Sequence, residues 1–262
     1  MKRLLVHLHI YYPDQTDFFL DKLNNISIPY QLVVTLTDDN DSIRKKISAK
    51  IPDTQFLIVE NCGYDLYPFF QAMKQFDLSS YDYILKLHTK NSRNRLSLNH
   101  LHYYNNEFRD NLIAPLINTT SCFKRVFDIL SSSPQTGIIC SRFFIVMKEA
   151  PKNKPYTIKL CQDYNIPYNE EVPFCAGTMF MCKSEIVRFM LKNDYSATEY
   201  GYNQRTGNTG TLAHSMETFF GIVCQYLGYN IKGVQRGSKL RYIITFLIKC
   251  IAHKDIRWLM HY

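Results

Sequence analysis

Apolar residues in this chain fall into short runs separated by polar turns, and the period of the pattern changes from run to run. Residues 4–11, LLVHLHIY, read as a strand closed by Pro13 and Asp14. Residues 16–23 place Phe18, Phe19, Leu20 and Leu23 at helical spacing, with Thr16 or Asp17 as the N-cap. Residues 30–36, YQLVVTL, form a second strand candidate, followed by the acidic turn 37–42 and a basic helix over 42–50. A third strand over 56–59 leads through the turn 60–65 into a helix over 67–76, with Pro68 in its first turn. The run 81–87 is the fourth strand, and it ends in the polar turn His88-Thr89-Lys90-Asn91. Such regular alternation of strand and helix predicts a mostly parallel central sheet with helices on both faces.

The second half is less regular. Residues 99–131 carry an apolar helical face (Phe108, Leu112, Leu116, Phe123, Val126, Phe127, Leu130), which Pro115 should break or kink. Residues 137–147 read as a strand and 148–169 as a polar surface excursion. Residues 174–181 read as a short strand with small residues in its middle, and 185–191 as a helix. Residues 195–210 are rich in Gly and Asn and suit a mobile loop, and 212–227 form a helix stopped by Gly228. No repeat or linker divides this part, so residues 1–236 are expected to be one domain. Residues 237–262 form a basic, amphipathic helical segment with aromatic residues near its ends, the pattern of a helix lying among lipid headgroups. The alternative is a terminal helix packed on the domain or on a second copy of the chain.

Composition narrows the partners. Hydrophobic residues make up 46% and charged residues 21%, a globular balance. A net charge of +8 points toward phosphorylated small molecules, an anionic membrane surface or nucleic acid. Nucleic acid is set aside, because no helix-turn-helix, zinc-finger or RNA-binding motif is present. The eight Cys are scattered without a CxxC pair, which suits reduced thiols rather than zinc or disulfides. Neither a secretory signal nor an apolar run of about 18 residues is evident, so a cytoplasmic, non-spanning protein is expected.

Several positions carry candidate chemistry. His88 and Lys90 alternate at the carboxyl end of the fourth strand and point the same way, where open α/β sheets bind ligands. An imidazole and an ammonium there suit an anion such as a diphosphate; the plainer reading is a surface turn. Asp65 precedes a helix and suits either an N-cap or an acceptor for a sugar hydroxyl. Glu217 stands on a largely apolar helix, where a carboxylate needs a partner or a task. His214 is three residues away on the same face. Gly177 and Thr178 are small enough for close strand packing or for backbone approach to a ligand. His7 and His9 share one strand face, and one of them is expected to be a core residue.

Four stretches in this order, residues 60–69 (ENCGYDLYPF), 81–92 (YDYILKLHTKNS), 174–180 (FCAGTMF) and 210–221 (GTLAHSMETFFG), resemble the rhamnan synthesis protein F family. The opening residues 7–13 (HLHIYYP) are similar to that family's N-terminus, and the likeness covers roughly residues 4–233. The resemblance implies a GT-A-like, Rossmann-like α/β fold and transfer of a sugar in bacterial cell-wall or surface polysaccharide assembly. It also implies a nucleotide-sugar donor, dTDP-L-rhamnose, and a lipid-linked glycan acceptor at the inner face of the cell membrane. On the same basis Asp38 and Asp39 look like the acidic turn that holds the nucleoside. Asn61 and Gly63 look like the turn beneath the donor, and Glu217 like the catalytic base. The chain departs from most GT-A enzymes at their metal-binding Asp-x-Asp, where it has Leu87-His88-Thr89-Lys90. That departure favours neutralising the diphosphate with His88 and Lys90 over Mg or Mn.

The expected chemistry is therefore a single displacement that inverts the sugar, with Glu217 as base assisted by His214. The rival expectations are a catalytically inactive carbohydrate- or nucleotide-binding module and a metal-dependent phosphotransferase or hydrolase. The last is disfavoured by the lack of a P-loop or a carboxylate cluster.

Overall fold

A computed structural model of the 262-residue chain describes residues 3–91, 96–98, 101–103, 106–201 and 210–235, together with 244, 247 and 248. Three parallel strand–helix units open the chain: β1 (Leu4–Ile10) with α1 (Thr16–Leu23), β2 (Tyr30–Leu36) with α2 (Asp41–Lys50), and β3 (Gln55–Ile58) with α3 (Leu66–Met73). β4 (Tyr83–His88) then returns to pair with β1, also in parallel. A hairpin of β5 (Leu96–Leu98) and β6 (Leu101–Tyr103) precedes α4 (Glu107–Ile117) and α5 (Thr120–Ser132). β7 (Thr136–Ser141), β8 (Ile145–Val146), α6 (Lys154–Asp163), β9 (Phe174–Cys175), β10 (Phe180–Lys183), α7 (Ser184–Met190), α8 (Ala197–Tyr200), α9 (Leu212–Tyr226) and β11 (Asn230–Val234) follow.

The seven-stranded sheet runs β11-β7-β10-β4-β1-β2-β3. β10 is antiparallel to both of its neighbours, and β11 is parallel to β7. The first four strands follow the sequence expectation. The separate hairpin corrects the helix expected to begin at residue 99: a strand ladder holds 101–103, and helix starts only at Glu107. Pro115 lies inside α4. The polar stretch 148–169 contains α6, which buries Thr157, Leu160 and Cys161 on one face and packs against α9. Its three buried positions are too few to register as a periodic apolar stripe.

Alternating strand residues feed two cores. One face buries Leu4, Val6 and Leu8 of β1 with Leu85 and Leu87 of β4 beneath α1, α2, α4 and α5. The other buries Leu5, Val33, Ile84, Phe180 and Cys182 against α3, α6, α7 and α9. On this second face the side chains turn polar toward the carboxyl ends of the strands: His7, His9, Thr35, Lys86 and His88 are all buried there. The Cys residues within the described region are free thiols. No helix among the described residues is long and apolar enough to cross a membrane. The residues expected to form a mobile loop include α8, closed by a Ser196–Glu199 capping box, while 202–209 lie outside the described residues. Most of the basic segment 237–262 lies outside them as well.

Candidate active site

The polar end of the second core is organised by Asp65. This residue occupies the N-cap position of α3, yet its side chain makes no capping bond. It turns inward instead, accepting a hydrogen bond from the Thr178 hydroxyl and forming a short ion pair with Lys86. Two consecutive left-handed residues, Gly63 (φ 58°) and Tyr64 (φ 54°), reverse the chain just ahead of it. A second such pair, Gly177 (φ 76°) and Thr178 (φ 46°), does the same before β10. Left-handed backbone at a non-glycine residue costs free energy and persists where surrounding contacts enforce it. At Thr178 those contacts are visible: Lys86 Nζ donates to the Thr178 carbonyl at 3.1 Å and to its hydroxyl at 3.0 Å.

Three basic side chains of β4 and its turn converge on Asp65. Lys86 is fully buried, His88 Nδ1 lies 3.4 Å from the carboxylate, and Lys90 Nζ lies 3.7 Å from it. Burial opposes ionising Asp65, but the Lys86 and Lys90 ammonium groups outweigh it and hold the carboxyl well below its ordinary range. Burial pushes the Lys86 ammonium down, partly offset by Asp65. It pushes His88 well below 6.5 as well, beyond what Asp65 restores. His88 is therefore neutral near pH 7, and the two ammonium groups supply the positive charge. Among the described residues neither ring nitrogen of His88 has a hydrogen-bond partner. Beside it, His9 and His7 each meet the Thr35 hydroxyl at 3.0 Å. One hydroxyl proton cannot serve both rings, so at least one imidazole donates to the hydroxyl oxygen. Burial lowers His9 to about 4. Both histidines, rather than one, are core residues.

Glu217 faces this cluster from the second turn of α9, whose start is capped by the Thr211 hydroxyl accepting from His214 N. Glu217 accepts from Gly177 N at 3.4 Å. Burial raises its carboxyl to about 7, with Lys90 pulling the other way and Asp65 adding to the rise. A half-ionised carboxyl near neutral pH has the proton affinity that general-base work needs. His214 Nδ1 meets Thr211 Oγ1 at 2.7 Å, and its ring packs edge-on against Tyr64 at 5.0 Å.

Asp65, His88, Lys90, Gly177, Thr178 and Glu217 are thus brought together. Asp38 and Asp39 are exposed in the turn after β2, and Asp39 pairs with Arg44 at 2.9 Å. Asn61 is exposed. Gly63 is buried against Tyr67 and Tyr200, where an added Cβ would come within 2.5 Å of the Tyr200 ring, so its small size serves packing. Lys86 is the member that the sequence reading missed. Its signal was present: a lysine inside an apolar strand must find a buried partner. A divalent cation does not fit this donor set. Asp65 already meets two ammonium groups, and the described residues hold no cluster of three His, Cys, Asp or Glu side chains suited to a metal.

The rhamnan synthesis protein F family matches residues 1–229, most of the chain. The chain belongs to that family. Among curated relatives, the uncharacterized protein WxcX of Xanthomonas campestris is 25% identical over 244 residues, covering 88% of this chain and 32% of WxcX. This family member therefore spans about a third of the relative's length. Among solved structures, S. aureus TarS residues 1–349 in complex with UDP superposes with a TM-score of 0.50 at 11% identity, covering 91% of this chain and 59% of that one. A cytidylyltransferase from Leptospira borgpetersenii gives 0.43 at 11% identity, covering 90% and 77%. This family member shares its fold with that TarS structure, a GT-A-like α/β arrangement around the seven-stranded sheet.

Proposed function

We propose that this protein is an inverting glycosyltransferase that uses a nucleoside-diphosphate sugar. The observation that carries the proposal is the buried Asp65–Lys86 pair, joined by the half-buried Lys90, facing Glu217 at the carboxyl edge of the sheet. Glu217 takes the acceptor hydroxyl proton as the acceptor oxygen forms its bond to the anomeric carbon. The bond from that carbon to the diphosphate breaks on the opposite face, and the diphosphate leaves with the electron pair. Lys90, partly open to solvent, meets the developing charge, and the unpartnered His88 ring supplies a second donor. Lys86 stays committed to Asp65 and Thr178, holding the floor of the site rigid. Asp38, Asp39 and Asn61 line the donor side, with Gly63 packed beneath that turn, and His214 assists Glu217.

The family's description, rhamnan synthesis, supports rhamnose as the transferred sugar; we take thymidine diphosphate as its carrier and a lipid-linked glycan as acceptor. UDP bound to TarS supports the nucleotide class. A lipid-linked acceptor gives the basic residues of 237–262 a reason to hold the protein at the anionic inner face of the membrane, each contributing about 1 kcal/mol near such a surface. Co-sedimentation with anionic vesicles at low salt should drop when the chain is cut at Gly237. Equal sedimentation of the two forms removes the membrane from the proposal.

Thermal shift against a panel of nucleotide sugars identifies the donor, since a ligand of the native state raises its stability. With that donor, Glu217→Gln should lower transfer by about 10²- to 10⁴-fold and leave donor binding near its original strength. Retained turnover removes Glu217 from the mechanism. Binding should survive chelator and weaken in His88→Ala/Lys90→Ala; loss in chelator with recovery on adding manganese overturns the metal-free reading. A second reading, a binding module without turnover, is favoured by the missing Asp-x-Asp and fails once any donor is hydrolysed or transferred.

A further inference from the structure

The chain segment after β1 is fastened to the segment after β4 by side chains rather than by a strand ladder. β1 and β4 pair in parallel up to His9 and His88, and Thr89 N still donates to the His9 carbonyl at 3.0 Å. Beyond that point the strands end and two polar side chains take over. The Thr89 hydroxyl accepts from Tyr11 N at 2.9 Å and from Tyr12 N at 3.0 Å. Gln15, in the short 3₁₀ turn Pro13–Gln15, then grips the next residue through both of its amide atoms. Its Nε2 donates to the Lys90 carbonyl at 2.5 Å, and its Oε1 accepts from Lys90 N at 3.2 Å. An amide side chain that closes both bonds on one residue reproduces a strand partner at a place where no strand exists.

Gln15 is 3% exposed, unusual for a neutral polar residue on a loop. Burial of that amide is tolerable because the Lys90 backbone satisfies it. The Lys90 side chain is the least constrained cation of the site. Its Nζ is 3.7 Å from Asp65 and 5.8 Å from the Phe108 ring centre, and 22% of the side chain is exposed. What fixes this ammonium is therefore its backbone. We propose that Gln15 is a positioning residue for Lys90, setting where that cation stands when an anionic ligand enters. The inference rests on Lys90 being an anion contact, as in the function proposed above.

The test is a double-mutant cycle on nucleoside-diphosphate binding, read by titration calorimetry, using UDP and dTDP as probes on the full chain. Lys90→Ala should weaken binding about tenfold, equivalent to about 1.4 kcal/mol. Gln15→Ala should weaken it about five- to tenfold in the parent protein, since small displacements of a charged contact are costly. In the Lys90→Ala background it should change binding less than about twofold. Gln15→Met, which keeps the length of the side chain and loses both amide bonds, should weaken binding as Gln15→Ala does. A Gln15→Ala loss of equal size in both backgrounds overturns the positioning role and leaves Gln15 a fold residue. No loss from Gln15→Ala in the parent protein overturns it too. Lys90→Ala binding as tightly as the parent removes Lys90 from the site, which is failure of the underlying reading rather than of the clamp. Should Gln15→Ala unfold, Gln15→Met alone is carried through the same cycle, and additivity there overturns the proposal.

Discussion

Two buried carboxylates, Asp65 and Glu149, solve the same problem in opposite ways. Glu149 accepts from the Thr157 hydroxyl at 2.6 Å and the Tyr168 hydroxyl at 2.9 Å, so neutral donors satisfy it. It ties the start of α6 to residues further along the 148–169 stretch, where the one left-handed residue, Asn165 (φ 52°), adjoins neither Glu149 nor its two donors in sequence. Asp65 is met by two ammonium groups and an imidazole, and left-handed non-glycine residues sit beside it and beside its partner. Only three such non-glycine residues occur in the described chain, and two of them are Tyr64 and Thr178. Burial alone therefore does not mark a functional carboxylate. Excess opposite charge combined with enforced backbone strain is what makes Asp65, and not Glu149, the candidate.

The contrast can be broken by removing each charge in turn. Asp65→Asn leaves the Lys86 ammonium buried without its counter-ion and should cost about 3–5 kcal/mol in urea unfolding. Adding Lys86→Met should recover much of that loss; no recovery would mean that the ion pair is not what Asp65 contributes. Glu217 gives an intermediate effect that depends on pH. Its folded carboxyl is raised from 4.5 to about 7, so the stability it carries is present below about 4.5 and lost as pH rises through 7. Relative to Glu217→Gln, the parent protein should lose about 2 kcal/mol between pH 4.5 and 8, allowing for partial exposure of the side chain. A flat difference between the two proteins across that range would contradict the raised value. Glu149→Gln should be mildest, about 1 kcal/mol, because its partners are neutral. A loss as large as that of Asp65→Asn would erase the distinction between the two sites.

Much of the first half was legible from pattern alone. Strands β1 to β4 run long and apolar, each punctuated by Pro, Gly or acidic turns, so local preference and tertiary packing agree. Asp65, His88 and Lys90 were visible as polar residues placed just where such strands and turns end. Lys86 was hidden because alternation in YILKLH accounts for a lysine without asking what it meets. Gln15 was hidden because a two-bond amide clamp depends on residues 75 positions apart. The antiparallel placement of β10 was equally out of reach, since a four-residue strand carries no mark of its direction.

That reversed strand has a kinetic consequence. Lys86 and Thr178, whose contact completes the floor of the site, are 92 residues apart. The parallel units of the first half can assemble through short-range crossovers, but this contact requires a long loop to close before any pairing with β4 rewards it. Without β10, β4 is the edge of a four-stranded sheet, and Lys86 puts a charge on it that discourages edge-to-edge association with other chains. The residue that later anchors the pocket thus serves earlier as a guard on an unfinished sheet. Replacing it with an apolar residue would remove that guard even where the native state tolerates the change.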